Sequence, residues 1–211
     1  IEAPLITVEV HLSNGLPGLT MVGLPETTVK EARDRVRSAL INSGYAFPAK
    51  KITINLAPAD LPKEGGRYDL PIALALLVAS EQLNTTRLNQ YEFVGELALT
   101  GGLRGVPGAI PSAMEAIKAG RRIVVSSDNA AEVGLIGGSD CLVADHLQEV
   151  CAFLAGQTSL SPPLAEAPAR DERYEDLLDV IGQQQGKRAL EIVAAGGHNL
   201  LLIGPPGTGK T

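Results

Sequence analysis

The alternation of apolar and polar residues divides the chain into short strands and amphipathic helices. Residues 5–12 alternate, with Ile6, Val8, Val10 and Leu12 on one face, which predicts a half-buried strand. Ser13, Asn14 and Gly15 then supply a turn, and residues 19–22 are predicted to return as the second strand of a hairpin. The chain is therefore expected to begin with β-structure.

A helix is predicted next, and its apolar positions recur at helical spacing. It opens at Gly23-Leu24-Pro25, runs for about 17 residues and stops at Gly44. The residues expected to face the core are Val29, Ala32, Val36 and Leu40.

The next part of the chain continues to alternate between strands and helices. Residues 51–56 predict a strand, and Asp69 is expected to cap a helix over residues 70–79 that is apolar nearly all round and therefore central. The later predicted elements are a strand over 92–99, a helix over 110–119, a strand over 122–125 followed by a helix-capping sequence at 126–129, a strand over 141–143 and a helix over 147–154. This order predicts a mixed α/β (α+β) domain.

A change in composition predicts the domain boundary. Residues 159–173 are rich in Ser, Pro and Ala without an apolar period, so they are interpreted as a linker between a domain over 1–158 and a segment over 174–211. In the second segment we expect a helix around residues 187–195. The apolar run 199–203 predicts a buried parallel strand.

That predicted strand leads into a phosphate-binding motif. The motif fits the template G-x-x-x-x-G-K-[ST], in which glycines let backbone N–H groups point at nucleotide phosphates. Its residues are Gly204, Pro205, Pro206, Gly207, Thr208, Gly209, Lys210 and Thr211. Lys210 is expected to reach the β- and γ-phosphates and Thr211 to bind Mg²⁺ through its hydroxyl, so ATP and Mg²⁺ are the predicted cofactors.

Charge and composition limit the classes of partner and compartment. The net charge is −6 with a pI near 5.1, so no overall cationic field attracts nucleic acid, and any DNA contact needs a local patch. The two cysteines have no metal-ligand spacing, and no stretch resembles a membrane span or signal peptide. We therefore expect a soluble, cytoplasmic protein without a membrane partner. Because the chain lacks an initial Met and ends inside the motif, it is expected to be part of a longer polypeptide.

The first predicted helix carries the densest positive cluster. Lys30, Arg33, Arg35 and Arg37 are candidate contacts to a phosphate backbone, with Lys30, Arg33 and Arg37 the predicted nucleic-acid residues. Three acidic residues are interleaved with them, which favours an ordinary helix with surface salt bridges.

A second candidate patch is the loop over residues 57–68. Lys63 and Arg67 are predicted to contact DNA if the domain touches it. The alternative is structural: the loop glycines supply positive φ, and the two cations pair with Glu64 and Asp69.

Several long motifs resemble one protein family. They are residues 9–17 (EVHLSNGLP), 22–25 (VGLP), 33–38 (RDRVRS), 55–67 (NLAPADLPKEGGR), 181–183 (IGQ) and 187–190 (KRAL). These residues resemble the ComM/YifB proteins, which are magnesium-chelatase-like bacterial AAA+ ATPases. The resemblance implies a Lon-protease-like domain with the ribosomal-protein-S5 domain-2-like fold, followed by the first elements of a P-loop AAA+ module. It also places Ile181 and Gly182 beside the adenine ring.

The resemblance also bears on peptide cleavage. Lon-type proteases use a Ser–Lys dyad. By resemblance, Arg67 occupies the nucleophile position and the lysine would fall near Ile110 or Pro111. Arginine cannot act as the nucleophile, and neither isoleucine nor proline can act as the base. Ser112 and Lys118 have the wrong spacing. We expect no proteolysis, and no ATP hydrolysis by this chain alone.

The phosphate-binding motif and the family resemblance together suggest two principal functions. The leading hypothesis is the N-terminal part of an ATP-dependent ring motor of branch-migration or helicase type. The resemblance implies a hexamer that acts on branched or single-stranded DNA in natural transformation and recombination. The alternative is that residues 1–158 are a protein-interaction or oligomerisation module of a magnesium-chelatase-like ATPase, without direct DNA contact. Magnesium insertion into a porphyrin is a third hypothesis, which the resemblance disfavours.

Overall fold

The computed structural model describes residues 3–26, 29, 31–136, 140–163 and 176–207. It divides the chain into two units, residues 1–166 and 167–211, and each is described by itself. The mixed α/β class predicted from the sequence is confirmed, and the first unit contains parallel strands.

The first sheet has three strands, β1 (Thr7–Ser13), β2 (Gly18–Val22) and β3 (Lys51–Ala57), in the order β1-β3-β2. The predicted hairpin is wrong, because β3 lies between β1 and β2, antiparallel to the first and parallel to the second. The inward side chains of β3 are fully buried, whereas those of β1 and β2 are half-buried. The strand with the most deeply buried inner face is therefore the central one, where both of its edges are paired.

The first helix, α1 (Ala32–Asn42), presents the predicted stripe to the core. Val29, Ala32, Val36 and Leu40 are fully buried, and Gly44 follows the helix with a φ of 85°, both as predicted. The helix begins later than expected. Pro25 pairs with Lys63 in a β-bridge, and the Glu26 N–H donates to the Lys63 carbonyl over 3.2 Å, so residues 25 and 26 are extended.

The second helix, α2 (Asp69–Ala79), is the central buried helix that its composition predicts. Its buried residues are Asp69, Leu70, Ile72, Ala73, Leu74, Leu76 and Leu77. The predicted cap is wrong: Asp69 is the first residue of the helix, and its carboxylate accepts hydrogen bonds from Arg35 and Leu97 instead.

A second, parallel sheet contains β4 (Tyr91–Phe93), β7 (Arg122–Ser126) and β8 (Cys141–Ala144) in the order β4-β7-β8. In the sequence between β4 and β7, the strands β5 (Glu96–Leu97) and β6 (Leu103–Arg104) form a separate antiparallel pair. The predicted strand over 92–99 is therefore two strands. They separate at Gly95, whose N–H donates to the Arg67 carbonyl and whose carbonyl accepts from Leu70.

The parallel strands are connected by helices, as parallel pairing requires. The connecting helices are α3 (Ala109–Lys118), between β4 and β7, and α4 (Ala130–Gly134), between β7 and β8, whereas α5 (Leu147–Leu154) follows β8. The predicted capping sequence is confirmed for the 3₁₀ turn Ser127–Asn129 that leads into α4, because the Ser126 hydroxyl accepts from the Asp128 N–H. In the predicted linker, Ser161 pairs with Val143 in a β-bridge.

The described part of the second unit contains a 3₁₀ turn (Leu177–Asp179) and α6 (Gln184–Gly196), which confirms the predicted helix. The predicted strand over 199–203 is wrong for this structure. Leu201 and Ile203 are exposed, and no strand occurs among residues 176–207. A parallel strand needs hydrogen-bonding neighbours and apolar cover, and neither is present in this described segment.

Candidate nucleotide and nucleic-acid sites

The phosphate-binding motif is described only over its first half. Residues 204–207 are exposed, and Gly207 has a φ of 80°, a conformation that favours glycine. Thr208, Gly209, Lys210 and Thr211 lie outside the described residues, so their roles toward phosphate and Mg²⁺ stay predictions.

The two residues predicted beside the adenine form the turn into α6. Gly182 has a φ of 74°, and Gln183, the residue before the helix, is also left-handed. Ile181 presents almost its whole side chain to solvent. The turn therefore carries an exposed apolar side chain immediately before a helix N-terminus.

The predicted basic face of α1 is divided by tertiary contacts. Arg35 turns inward, and its Nε and Nη2 donate to the two Asp69 carboxylate oxygens over 2.6 and 3.0 Å. The Leu97 N–H donates to the same carboxylate over 3.2 Å. This cluster joins α1, α2 and β5, so Arg35 is a structural residue.

The ionisation of the pair reflects its burial. Desolvation raises the pKa of Asp69 above its ordinary value, and the hydrogen bonds from Arg35 and Leu97 oppose that rise. The hydrogen bond to Asp69 raises the pKa of Arg35, which stays charged.

The other two described arginines of α1 face solvent. The Arg33 Nε lies 3.1 Å from an Asp34 carboxylate oxygen in an exposed ion pair. The Arg37 guanidinium carbon lies 5.1 Å from the centroid of the Phe47 ring. No carboxylate in the described part of the chain lies within ion-pair distance of Arg37. Lys30, the remaining predicted cation, lies outside the described residues.

Arg33 and Arg37 line a cavity of about 310 Å³ between α1 and two loops. Its other walls include Pro17, Phe47 and Lys50. Asp34 is the acidic residue among those that line it. The cavity therefore combines three cations with one aromatic ring in a chain whose net charge is −6.

Lys63 does not belong to a DNA surface, which corrects the sequence-based prediction. Its side chain is fully buried, and its Nζ donates to the Pro58 carbonyl oxygen. An ammonium group held inside the loop cannot reach a phosphate in solvent, so the structural alternative holds for this residue. The predicted pairing partners are wrong, however, because Asp69 pairs with Arg35.

Arg67 lines a cleft of the first unit that has a volume of about 820 Å³. Its Nη2 donates to the Pro107 carbonyl over 3.2 Å, just before α3, and Pro111 and Ser112 line the same cleft. The Ser112 hydroxyl donates to the Gly108 carbonyl over 3.0 Å. Lys118 pairs with Glu115 over 3.1 Å.

Neither a metal-ligand cluster nor a membrane-spanning helix occurs among the described residues. Within the described ranges, no group of three or more His, Cys, Asp or Glu side chains is placed to hold a metal ion. The helices of those ranges are all too short or too polar to cross a bilayer.

Two residues of the small cavity, Phe47 and Lys50, were missed from the sequence. Each lies in the loop that connects the end of α1 at Asn42 to the start of β3 at Lys51. The signal that could have found them is local: one of only three phenylalanines stands close to a Lys-Lys pair at positions 50 and 51.

Comparison with known proteins identifies the family. The family model described as "Subunit ChlI of Mg-chelatase" matches residues 8–129, and "Magnesium chelatase, subunit ChlI" matches residues 176–211. The chain is 76% identical over 211 residues to an uncharacterized protein YifB of Salmonella typhimurium and 74% identical to YifB of Escherichia coli. It is 56% identical over 218 aligned residues to the competence protein ComM of Haemophilus influenzae.

All of this chain aligns with each of these three relatives, and it spans 42% of their length. Two family models with the same subunit description match its two parts. The chain therefore belongs to the ComM/YifB family of magnesium-chelatase-like proteins.

Proposed function

We propose that this chain is the N-terminal part of an ATP-driven motor of the AAA+ class that acts on DNA. One observation carries the proposal: a complete phosphate-binding motif in a chain that is 56% identical to a competence protein. The motif supplies the means to bind ATP, and competence, the uptake of DNA, supplies the substrate class. The motor would be a cytoplasmic hexamer in its full-length form, and branched or single-stranded DNA its partner.

The nucleotide site of this motor would be built by the motif and the turn before α6. Gly204, Gly207 and Gly209 would let the backbone surround the phosphates, while Lys210 and Thr211 would bind the γ-phosphate and Mg²⁺. Ile181 supports the proposal, because its exposed side chain stands where an apolar surface for the adenine is needed. A second acidic strand end and a neighbour's arginine complete such sites and would come from outside residues 1–211.

We propose further that residues 1–158 have the Lon-protease-like, S5 domain-2-like fold. The order β1-β2-α1-β3-α2 and the packing of both helices into one core with the first sheet support it. So does the contact between Arg67 and Pro107, because by resemblance Arg67 occupies the nucleophile position of the protease and the lysine position falls near Ile110 or Pro111, shortly after Pro107. Neither place carries the required serine or lysine, so the cleft would not cut peptides.

The experiment uses the chain extended through the whole ATPase module. ATP hydrolysis is measured without DNA, with linear duplex, with single strands and with a four-way junction. We expect stimulation by branched or single-stranded DNA and loss of hydrolysis in a Lys210→Ala variant, which removes the charge that binds the phosphates.

The outcomes separate the functional classes. Hydrolysis that depends on Lys210 but responds to no DNA would refute the DNA motor and favour the protein-interaction alternative. Stimulation by a porphyrin instead of DNA would indicate chelatase chemistry. A Lys210→Ala protein that hydrolyses ATP as fast as the parent would mean that the motif is not the site.

A further inference from the structure

The cavity beside α1 is the described site whose chemistry most resembles a nucleic-acid contact. The nearby acidic residues do not neutralise it evenly, because Glu31, just before α1, and Asp69 of α2 both contact Arg35, which is turned away toward the core. Asp34 offsets Arg33 alone. Arg37 and Lys50 are left without an ion-pair partner among the described residues.

The shape of the cavity favours one kind of nucleic acid. Its volume of about 310 Å³ lies at the lower end of the range for small-ligand sites, which is the scale of a single nucleotide. A duplex offers only phosphates and groove edges to such a recess, because its base faces are stacked. A single strand can place one unstacked base inside it.

The walls provide a partner for each part of a nucleotide. The Arg37 guanidinium lies over the Phe47 ring, and planar guanidinium groups and aromatic rings are the surfaces on which unpaired bases stack. Arg33 and Lys50 line the same recess and are exposed, so they can meet the flanking phosphates.

We propose that this cavity binds one nucleotide of a single DNA strand, with the base stacked on the Arg37–Phe47 pair and its phosphates held by Arg33 and Lys50. The proposal rests on the DNA-motor function, and it adds a strand type, a subsite and two residues, Phe47 and Lys50, to it. It places the DNA contact on α1 and the loop before β3, away from Lys63.

The test measures binding of the 211-residue chain to a fluorescent oligothymidylate of about 16 nucleotides, at about 50 mM salt and at higher salt. An abasic oligomer of equal length presents the same phosphates without bases. The site variants are Arg37→Glu and Lys50→Glu. Lys118→Glu, a charge reversal at an exposed cation of α3, is the matched control.

We expect each site variant to weaken oligothymidylate binding about tenfold or more and the control to change it by less than about twofold. The parent should bind oligothymidylate about tenfold more tightly than the abasic oligomer. Arg37→Lys keeps the charge but removes the planar surface, so it should lose this preference while it keeps the salt dependence.

Several results would overturn the site. They are the absence of binding at low salt, an equal loss in Lys118→Glu, or equal affinity for the abasic oligomer. The DNA-motor function is tested separately, by ATP hydrolysis of the chain extended through the ATPase module. DNA-stimulated hydrolysis that is unchanged in Arg37→Glu would refute this cavity and leave the motor intact, whereas hydrolysis that ignores DNA would refute the motor.

Discussion

Removal of Arg35 tests the division of the basic helix most directly. Arg35→Ala would leave the Asp69 carboxylate fully buried, with the Leu97 N–H as its remaining hydrogen-bond donor among those described. Arg33→Ala is the matched control, since Arg33 lies two residues earlier on the same helix and its ion pair with Asp34 is exposed. The two substitutions are chemically identical, but Arg35→Ala leaves a buried carboxylate without its partner whereas Arg33→Ala leaves an exposed one.

The expected magnitudes follow from burial. Removing one partner of a buried ion pair costs about 3–5 kcal/mol, because the remaining charge stays desolvated. The Arg35 side chain is 22% exposed, so water can partly replace it, and we expect the lower end, about 3 kcal/mol. An exposed pair such as Arg33–Asp34 contributes about 0–1 kcal/mol.

The assay is urea unfolding followed by far-ultraviolet circular dichroism, with the m-value compared between variants. A third protein, Arg35→Ala with Asp69→Asn, removes the stranded charge and should recover more than half of the loss. Equal destabilisation by Arg33→Ala and Arg35→Ala would refute the reasoning. So would a double variant that is no more stable than Arg35→Ala.

Three further predictions concern the first unit. Gly23→Ala should lower the unfolding free energy by more than about 2 kcal/mol, since a Cβ there would lie 2.1 Å from a β3 carbonyl oxygen. Gly44 also has a left-handed backbone but faces open space, so Gly44→Ala should cost about 1 kcal/mol in the same urea titration. Lys63→Met should leave DNA affinity within about twofold of the parent, because the Lys63 side chain is buried, and a tenfold loss would contradict that burial. Burial raises the pKa of the Cys141 and Cys151 thiols, so the reactive thiolate is scarcer at neutral pH than in a free thiol. Labelling of the folded chain by a disulfide reagent should therefore be slow and accelerate as pH rises, and it should be complete in urea. Fast labelling of the folded chain would argue against the burial of these two thiols.

Local pattern was sufficient for most elements of the first unit. The stripe from Val29 to Leu40 predicted which side of α1 is buried, since helical spacing alone brings those residues together. The apolar composition of residues 70–79 likewise predicted a central helix. The phosphate-binding motif could be recognised from its spacing, because one continuous loop supplies all of its groups.

Non-local contacts decided what the pattern could not. The turn after β1 indicated a hairpin, yet β3, about forty residues further on, lies between β1 and β2 and has the most deeply buried inner face. The basic residues of α1 looked equivalent in sequence. A buried carboxylate 34 residues away draws Arg35 inward and leaves Arg33 and Arg37 outside.

The sequence by itself determined the mixed α/β class, the buried faces of the two central helices, the nucleotide motif and the family, because each depends on neighbouring residues or on continuous motifs. Only the tertiary structure decided the strand order, the burial of Lys63 and the convergence of Arg37, Phe47 and Lys50 on one cavity. These features depend on which groups of the folded chain pair with a buried charge or with the edge of a strand, and the local sequence pattern does not predict that pairing.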